Sequence, residues 1–192
     1  MQAARGTPLT TNDGDATEPV ERAQESGSNG RHVGLFAVVC VVAYLTDVVT
    51  KAIAVETLRG HDPVEVIPGV LSLTYTTNAG AAFGLATGLT IGLSLVALVV
   101  VAVVIRMATR LRDPIWAVAL GLLLAGALGN LTDRVFRDPG VLRGHVVDFI
   151  ELPNWPIFNV ADMCITSAAV LVVIQSLRGI GPEGRREPVA KS

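Results

Sequence analysis

The chain has 192 residues, of which 51% are hydrophobic and 17% charged, with a formal net charge of -2. This composition is too apolar for an ordinary soluble domain and is typical of a membrane protein. The basic side chains are scattered rather than gathered in a stripe, which excludes an electrostatic surface for nucleic acid. Cys40 and Cys164 lie in apolar runs without CxxC or Cys/His spacing, so neither a metal site nor a disulfide is indicated.

Residues 1–30 are rich in Gly, Ser, Thr and acidic side chains and contain almost no large hydrophobic residues. Such a segment cannot bury enough apolar surface to offset the entropy of ordering, so we predict a disordered tail. It also lacks the basic start, short apolar core and small-residue cleavage site of a secretory signal peptide.

Four apolar runs follow the tail, and each is about as long as the roughly 17 to 25 residues that a helix needs to cross the hydrocarbon core. They cover residues 33–55, 88–105, 115–131 and 158–177. Four crossings place both termini on the same side of the membrane. The predicted division is a tail over residues 1–30, a four-helix domain over residues 31–178 and a second tail over residues 179–192.

The arginines and lysines predict the orientation, because loops on the cytoplasmic side carry an excess of them. Ten lie in the two tails and in the loop between the second and third runs, and four lie in the other two loops. Both tails and the loop over residues 106–112 are therefore predicted to be cytoplasmic. The connections over residues 56–87 and 132–157 are predicted to face outward.

The first outward connection predicts a β-hairpin. Residues 64–67 are followed by Pro68 and Gly69, a pair that suits a type II turn, and residues 71–76 then alternate between apolar and polar. A period of two gives a strand with one apolar face, which can rest on the membrane surface. The predicted fold class is an all-α membrane protein, a four-transmembrane-helix bundle with a small extracytoplasmic β-sheet.

Ionisable groups at membrane depth are costly, so they usually face a protein interior and often have a function. Asp47 and Lys51 lie four residues apart in the first run, on one helical face, where they can neutralise each other. The spacing suits a pair that holds the bundle together, and it also suits a pair that contacts a substrate.

The third run ends in GALGNLTDR. In this motif Gly126 and Gly129 permit close approach of helices, and Asn130 and Arg134 lie one turn apart on the same face. Helix packing is the simpler interpretation of this pattern, and a functional site is the alternative. Asp133 is interpreted as a solvated or locally paired charge.

Two more acidic residues lie around the start of the fourth run. Asn159 and Asp162 have the spacing of a helix cap, whereas Asp148 lies within Val-Val-Asp-Phe-Ile and has no capping role and no adjacent cation. Two carboxylates that meet share a proton, and one apparent pKa rises. One then acts as base on a water molecule and the other as acid on a peptide carbonyl. No Ser/His, Cys/His or HExxH arrangement competes for this role, and the three histidines are isolated in the sequence.

Five motifs, taken in order, resemble those of the lipoprotein signal peptidase family, also called signal peptidase II, of bacterial inner membranes. They are DVVTK at 47–51, NAGAAFG at 78–84, GALGNLTDR at 126–134, VVDF at 146–149 and FNVAD at 158–162. The resemblance extends from about residue 33 to residue 178. It implies an aspartic endopeptidase that needs no cofactor or metal and cleaves prolipoproteins just before a diacylglyceryl-modified cysteine.

The resemblance also assigns the site by motif. It makes Asp148 and Asp162 the catalytic pair, with Asn78 and Arg134 expected to contact substrate. The full set of residues that would bind substrate or support the site is Asp47, Lys51, Asn78, Gly80, Gly126, Asn130, Arg134 and Asn159. The implied partners are lipid-modified prolipoproteins, membrane lipids and globomycin-type cyclic peptide inhibitors. The implied location is the cytoplasmic (inner) membrane of a bacterium, with the active site at its outer face.

Two other classes of function are open to such a sequence. A small transporter or proton-coupled channel also carries carboxylates in the membrane, but near the midplane or in repeated halves. Here the acids cluster at one predicted face and no repeat is visible. A non-catalytic scaffold for partner helices is the third class, and in it the acids would be dispensable.

Overall fold

The computed structural model describes residues 18–80 and 89–186. The helices are α1 (Glu18–Leu58), α2 (Leu89–Ala108), α3 (Pro114–Phe136) and α4 (Val160–Leu177), and the strands are β1 (Val64–Ile67), β2 (Leu71–Asn78) and β3 (Val146–Glu151). Each helix contains a stretch long and apolar enough to cross a membrane. The predicted fold class, a four-helix membrane protein with a small sheet, is confirmed.

The first helix begins earlier than the sequence predicts. Its apolar span is His32–Leu58, but the helix starts at Glu18, next to Pro19, a residue that suits a first helical turn. Its 41 residues would extend about 60 Å, against a hydrocarbon core of about 30 Å, so its first turns lie beyond the core. The helix thus begins within residues 1–30, the segment for which the sequence predicts a tail. Residues 1–17 lie outside the described residues, and their disorder stays a prediction.

The third helix occupies the centre of the bundle and contacts the other three helices. In its most apolar stretch of 18 residues 61% of the residues are buried, against 11 to 22% in the corresponding stretches of the other three helices. Those three helices turn apolar side chains outward, as helices in lipid do. Side chains on α3 can therefore reach α1 and α4 at once, which is what the site requires.

Small residues allow the helices to approach α3 closely. A Cβ atom added at Gly126 would lie 2.5 Å from the carbonyl oxygen of Ala161 and 2.6 Å from Cγ1 of Ile165, both on α4. One added at Gly129 would collide with the carboxylate of Asp47 on α1. The packing interpretation of this glycine face is thus correct for Gly126, and Gly129 makes room for a buried charge.

The predicted hairpin is present between β1 and β2. Gly69 has a φ of 72°, and the N–H of Val70 donates to the carbonyl oxygen of Ile67 at 3.0 Å, as a turn with Pro68 and Gly69 at its centre requires. A third strand, β3, pairs antiparallel with β2 and places Asp148 opposite Thr76. The sheet therefore has the order β1-β2-β3, and the sequence analysis did not predict its third strand.

The sheet is fastened to the end of α1. Val147 and Phe149 of β3 form a buried apolar cluster with Ala54 and Leu58 of α1. Because side chains alternate along a strand, this contact turns Asp148 to the opposite side of β3. Apolar packing thus determines which way the carboxylate faces.

We expect Gly126→Ala to lower the melting temperature of the detergent-solubilised protein, by an amount corresponding to about 1 to 3 kcal/mol of overpacking. The added methyl group would have to push α4 away from α3. Gly34→Ala is the matched control, because a Cβ atom there meets nothing within 4 Å. Equal melting temperatures for the two variants would show that α3 and α4 are not held at this contact.

Candidate active site

Asp148 is a buried carboxylate on β3, with 2% of its surface exposed. Its Oδ1 accepts a hydrogen bond of 2.6 Å from Nδ2 of Asn159, and the side chain of Asn78 also donates to it. Both partners are neutral amides, so they hold the carboxylate in place without neutralising its charge.

Asp162 lies in the first turn of α4 and forms a capping box with Asn159. The N–H of Asp162 donates to Asn159 Oδ1 at 3.0 Å, and the N–H of Asn159 donates to Asp162 Oδ2 at 3.3 Å. The capping interpretation of the sequence is therefore correct. The other oxygen, Oδ1, accepts from Nδ2 of Asn130 on α3 at 2.9 Å, which a cap does not need.

One fully buried amide, that of Asn159, connects the two carboxylates. Its Nδ2 donates to Asp148, and its Oδ1 accepts from the backbone of Asp162. The same Nδ2 also lies 3.2 Å from Asn130 Oδ1 and from the carbonyl oxygen of Val147. The start of α4, the strand β3 and the end of α3 thus meet at this side chain.

The surroundings of Asp148 favour its protonated form. Burial is the largest cause and the nearby charge of Asp162 is the second, and together they raise the pKa of Asp148 from 3.8 to about 6. Hydrogen bonds from Asn78 and Asn159, and then the charge of Lys51, act in the opposite direction. A carboxyl group with such a pKa can hold a proton near neutral pH and release it, as acid–base catalysis requires.

Lys51 is a buried cation that supports the candidate site. Its ammonium group, which is 1% exposed, lies 2.8 Å from Asp47 Oδ2 and 2.9 Å from Asp133 Oδ2, and it donates to Asn130 Oδ1 at 3.0 Å. Because the Asn130 oxygen faces Lys51, its NH2 group must face Asp162. The predicted pairing of Asp47 with Lys51 is present, and it extends to the candidate site through Asn130.

Asp47 links α1 to the start of α4. Its Oδ1 accepts a hydrogen bond of 2.8 Å from the N–H of Ala161, one of the first-turn N–H groups that α4 cannot satisfy within itself. Its other oxygen pairs with Lys51. A carboxylate on one membrane helix thus caps another helix. This contact determines where along α1 the start of α4, and with it Asp162, lies.

Asp133 is a supporting residue that the sequence analysis missed. It is locally paired, with Nε of Arg137, but it is 4% exposed and therefore not a solvated charge. Its Oδ2 also binds Lys51 and accepts from the N–H of Val147, next to Asp148, at 3.2 Å. Local sequence showed only the neighbouring cations Arg134 and Arg137, because Lys51 and Val147 are distant in sequence.

Arg134 is buried beside the carboxylates, with 8% of its surface exposed. Its guanidinium interacts electrostatically with Asp148, Asp133 and Asp162. Its Nη1 has no hydrogen-bond partner among the residues that the structure describes. A buried N–H group without a partner is costly, so this donor is suited to a ligand.

Asn78 and Gly80 form a tight turn at the end of β2. The N–H of Gly80 donates to Asn78 Oδ1 at 2.8 Å, and Gly80 has a φ of 101°, which favours glycine. Thr90 on α2 donates to the carbonyl oxygen of Ala79 and holds the turn. The remainder of the NAGAAFG motif, residues 81–84, lies outside the described residues.

A cavity of about 350 Å³ opens beside Asp162. Its other lining residues are Trp155, Phe158, Met163, Thr166 and Ser167. Trp155 is 65% exposed and Met163 is 49% exposed, so the cavity faces outward from α4 rather than into the bundle. Asp162 is therefore accessible from the surface that would face lipid.

The fold and the site together define a multi-pass membrane protein with two neighbouring carboxylates at one end of a four-helix bundle. A family model described as signal peptidase II matches residues 39–178. The chain belongs to the signal peptidase II family, and it is therefore a bacterial multi-pass membrane protein of a peptidase family.

Individual relatives agree with the family model. The chain is 49% identical over 157 residues to a lipoprotein signal peptidase of Rhodococcus jostii, covering 82% of this chain and 79% of the relative. It is 45% identical over 162 residues to that of Streptomyces coelicolor, covering 84% and 79%. A bacterial membrane enzyme solved at 1.9 Å by the in meso method has a TM-score of 0.67 and 34% identity, covering 76% of this chain and 94% of that one. Another, solved at 2.3 Å, has a TM-score of 0.68 and 31% identity, covering 81% and 94%.

The raised pKa of Asp148 predicts a dependence of stability on pH. The folded protein binds this proton more tightly than the unfolded chain, so the stabilisation is complete below pH 3.8 and is lost as the pH rises through about 6. Asp148→Asn has no such proton. We therefore expect Asp148→Asn to gain stability relative to the parent between about pH 4 and pH 7, by at most about 3 kcal/mol. The difference in melting temperature between the two proteins should rise accordingly.

Asp138→Asn is the control for this measurement, because Asp138 is an exposed carboxylate. It gives the effect of removing one exposed carboxyl group, and the change measured for Asp148→Asn should be larger than this effect. A flat difference for Asp148→Asn would mean that Asp148 is not destabilised by its surroundings.

Proposed function

We propose that this protein is an aspartic endopeptidase that cleaves the signal peptide from diacylglyceryl-modified prolipoproteins, on the N-terminal side of the lipidated cysteine. The observation that carries the proposal is that one side chain, that of Asn159, donates to the carboxylate of Asp148 and accepts from the backbone N–H of Asp162. Membership of the signal peptidase II family supports the substrate class, because the relatives are named lipoprotein signal peptidases.

In the proposed reaction, Asp148 holds the shared proton and Asp162 activates the water. Asp148 is the more buried of the two, and its pKa is raised to about 6, whereas Asp162 lies at the open cavity. Asp162 accepts a proton as the water oxygen bonds to the scissile carbonyl carbon, and Asp148 protonates the carbonyl oxygen. Asp162 then gives its proton to the leaving nitrogen as the C–N bond breaks. Asp148 recovers its proton as the new carboxyl group forms.

Arg134 and Asn78 are proposed to hold the substrate backbone next to the two carboxylates. The Nη1 group of Arg134 is a buried donor with no partner among the described residues, so a substrate carbonyl oxygen can accept from it. Asn78 donates to Asp148 and ends the strand β2, so it lies where an extended peptide would pass. The family resemblance implies substrate contact for the same two residues.

The cavity beside Asp162 is proposed to receive the lipid-modified end of the substrate. Its walls include the exposed apolar side chains of Trp155 and Met163, and it opens on the outer face of α4. A substrate that is already held in the membrane can therefore enter sideways from the lipid. Globomycin-type cyclic peptides, which the family resemblance implies as inhibitors, would compete for the same space.

The proposed location is the cytoplasmic membrane of a bacterium, with both termini in the cytoplasm and the carboxylates at the outer face. The excess of arginine in the tails and in the loop between α2 and α3 supports this orientation. Placement at the outer face also suits the reaction, because water is available there and the scissile bond lies close to the lipid anchor.

Cleavage of a purified diacylglyceryl-modified prolipoprotein tests the aspartic mechanism. We expect Asp148→Asn and Asp162→Asn each to lower the cleavage rate by at least about 1,000-fold, because neither amide can exchange a proton with water or substrate. The exposed Asp138→Asn variant should cleave at the parental rate. Cleavage by both site variants at the parental rate would contradict the mechanism, and it would favour a scaffold in which the acids are dispensable.

Labelling of single cysteines in intact cells tests the orientation. In a background with Cys40→Ala and Cys164→Ala, we expect Gly69→Cys at the hairpin tip to react with a membrane-impermeant maleimide added outside. Arg110→Cys, in the loop between α2 and α3, should react only after the cells are permeabilised. The reverse pattern would place the carboxylates on the cytoplasmic side and would rule out the proposed topology.

A further inference from the structure

The end of the bundle opposite to Asp148 and Asp162 has a cavity that the proposed peptidase reaction does not use. The cavity has a volume of about 480 Å³, which is within the range of about 300 to 1,000 Å³ that is usual for small-ligand sites. Its lining residues are Met107, Arg110, Gly181, Pro182, Glu183, Arg185 and Arg186. Three of them are arginines and one is an acid.

The chain after α4 builds this cavity by folding back on the loop between α2 and α3. Nε1 of Trp116 donates to the carbonyl oxygen of Ile180 at 2.8 Å, and the N–H of Arg112 donates to that of Pro182 at 2.9 Å. A second turn then reverses the chain, because the N–H of Gly184 donates to the carbonyl oxygen of Gly181 at 2.9 Å. A bridge between Ile180 and Arg186 closes the fold.

A positive-inside charge bias alone does not explain this arrangement. The bias requires arginines near the ends of the membrane spans but no particular fold for them. Here two backbone turns bring Arg185 and Arg186 back beside Arg110, against the repulsion between like charges. Glu183 balances only one of the three charges, and its contact with Arg110 Nη1, at 3.8 Å between side chains that are about half exposed or more, is a weak one.

The excess of guanidinium groups makes the cavity complementary to an anion. Arginine is suited to phosphate because its planar group can donate two hydrogen bonds at once. The residues around this end of the bundle include six arginines, at positions 106, 110, 112, 178, 185 and 186. Within residues 106–113 and 178–186 the acids are Asp113 and Glu183, and Asp113 already accepts from Trp116 and Gln175; Glu187 follows Arg186 in the sequence and lies outside the described residues.

The position of the cavity indicates that the anion is part of a lipid. The cavity lies at the end of a membrane span, and one wall is the side chain of Met107 on α2. Val103, Val99 and Val96 precede it at helical spacings of three or four residues and are 49%, 62% and 59% exposed. An apolar stripe thus leads from the arginines along α2 into the hydrocarbon, where an acyl chain can lie.

We propose that this cavity binds the headgroup of an anionic phospholipid, with the phosphate beside Arg110, Arg185 and Arg186 and an acyl chain along the exposed valines of α2. The site is independent of the two carboxylates, which lie at the other end of the bundle. It would hold the C-terminal segment against the membrane surface and fix the end of α2.

Native mass spectrometry of the full chain, released from detergent, tests this proposal. The probes are dioleoyl phosphatidylglycerol, dioleoyl phosphatidylcholine and inorganic phosphate. We expect one phosphatidylglycerol molecule to be retained in preference to phosphatidylcholine, and inorganic phosphate at the same concentration not to displace it. The double variant Arg185→Gln and Arg186→Gln should weaken phosphatidylglycerol binding by about 25-fold, since each arginine near a membrane surface contributes about five-fold. Arg110→Gln alone should weaken it by about five-fold.

The matched control is the double variant Arg59→Gln and Arg143→Gln, which removes the same charge from exposed positions at the opposite end of the bundle. Its phosphatidylglycerol binding and its melting temperature should equal those of the parent. Equal losses from the two double variants would show a general charge effect and overturn the site. Equal retention of phosphatidylcholine would overturn the role of the arginines. Full displacement by inorganic phosphate would assign the cavity to a free anion and overturn the lipid.

Discussion

The fold and the candidate site both depend on one buried ammonium group, that of Lys51. Taking an ion out of water costs several kcal/mol, and the cost is offset only when its partners are complete. Here Lys51 has all three: the carboxylates of Asp47 and Asp133 and the amide oxygen of Asn130. Each partner also makes a second contact. Asp47 accepts a hydrogen bond from the first turn of α4, Asp133 accepts one from the backbone of β3, and Asn130 donates one to Asp162. Helices α1, α3 and α4 and the strand β3 are therefore tied to a single charge.

This arrangement separates the charges that stabilise the protein from those that are free to react. Asp47 and Asp133 are paired with cations, whereas Asp148 has two neutral amide donors and its pKa is raised to about 6. A carboxylate in such surroundings costs stability, as residues selected for chemistry often do. The paired acids below it supply the rigidity that keeps Asp148 and Asp162 close together. The bundle can therefore tolerate the unfavourable carboxylate of Asp148 at the end next to the sheet. The remainder of α3 packs through glycines and apolar residues.

The sequence predicts the parts of this structure that are encoded locally. Long apolar runs gave the four helices, Pro68 and Gly69 gave the turn, and the spacing of Asn159 and Asp162 gave the cap. Contacts between distant segments could not be found in this way. The strand β3 does not alternate between apolar and polar residues because its first four residues are buried on both faces, and it forms by pairing with the open edge of β2. Asp133 looked ordinary because Lys51, its main partner, is more than 80 residues away in sequence, and the early start of α1 has no hydropathy signal.

The Lys51→Met variant, assayed for both melting temperature and prolipoprotein cleavage, tests the role of Lys51 most directly. Removal of the ammonium would leave two buried carboxylates without their shared cation and would free the Asn130 amide to turn away from Asp162. We expect a loss of about 3 to 5 kcal/mol in stability. Any variant that still folds should show greatly reduced cleavage, with the largest effect on kcat. Parental stability together with parental cleavage would contradict the central role of Lys51.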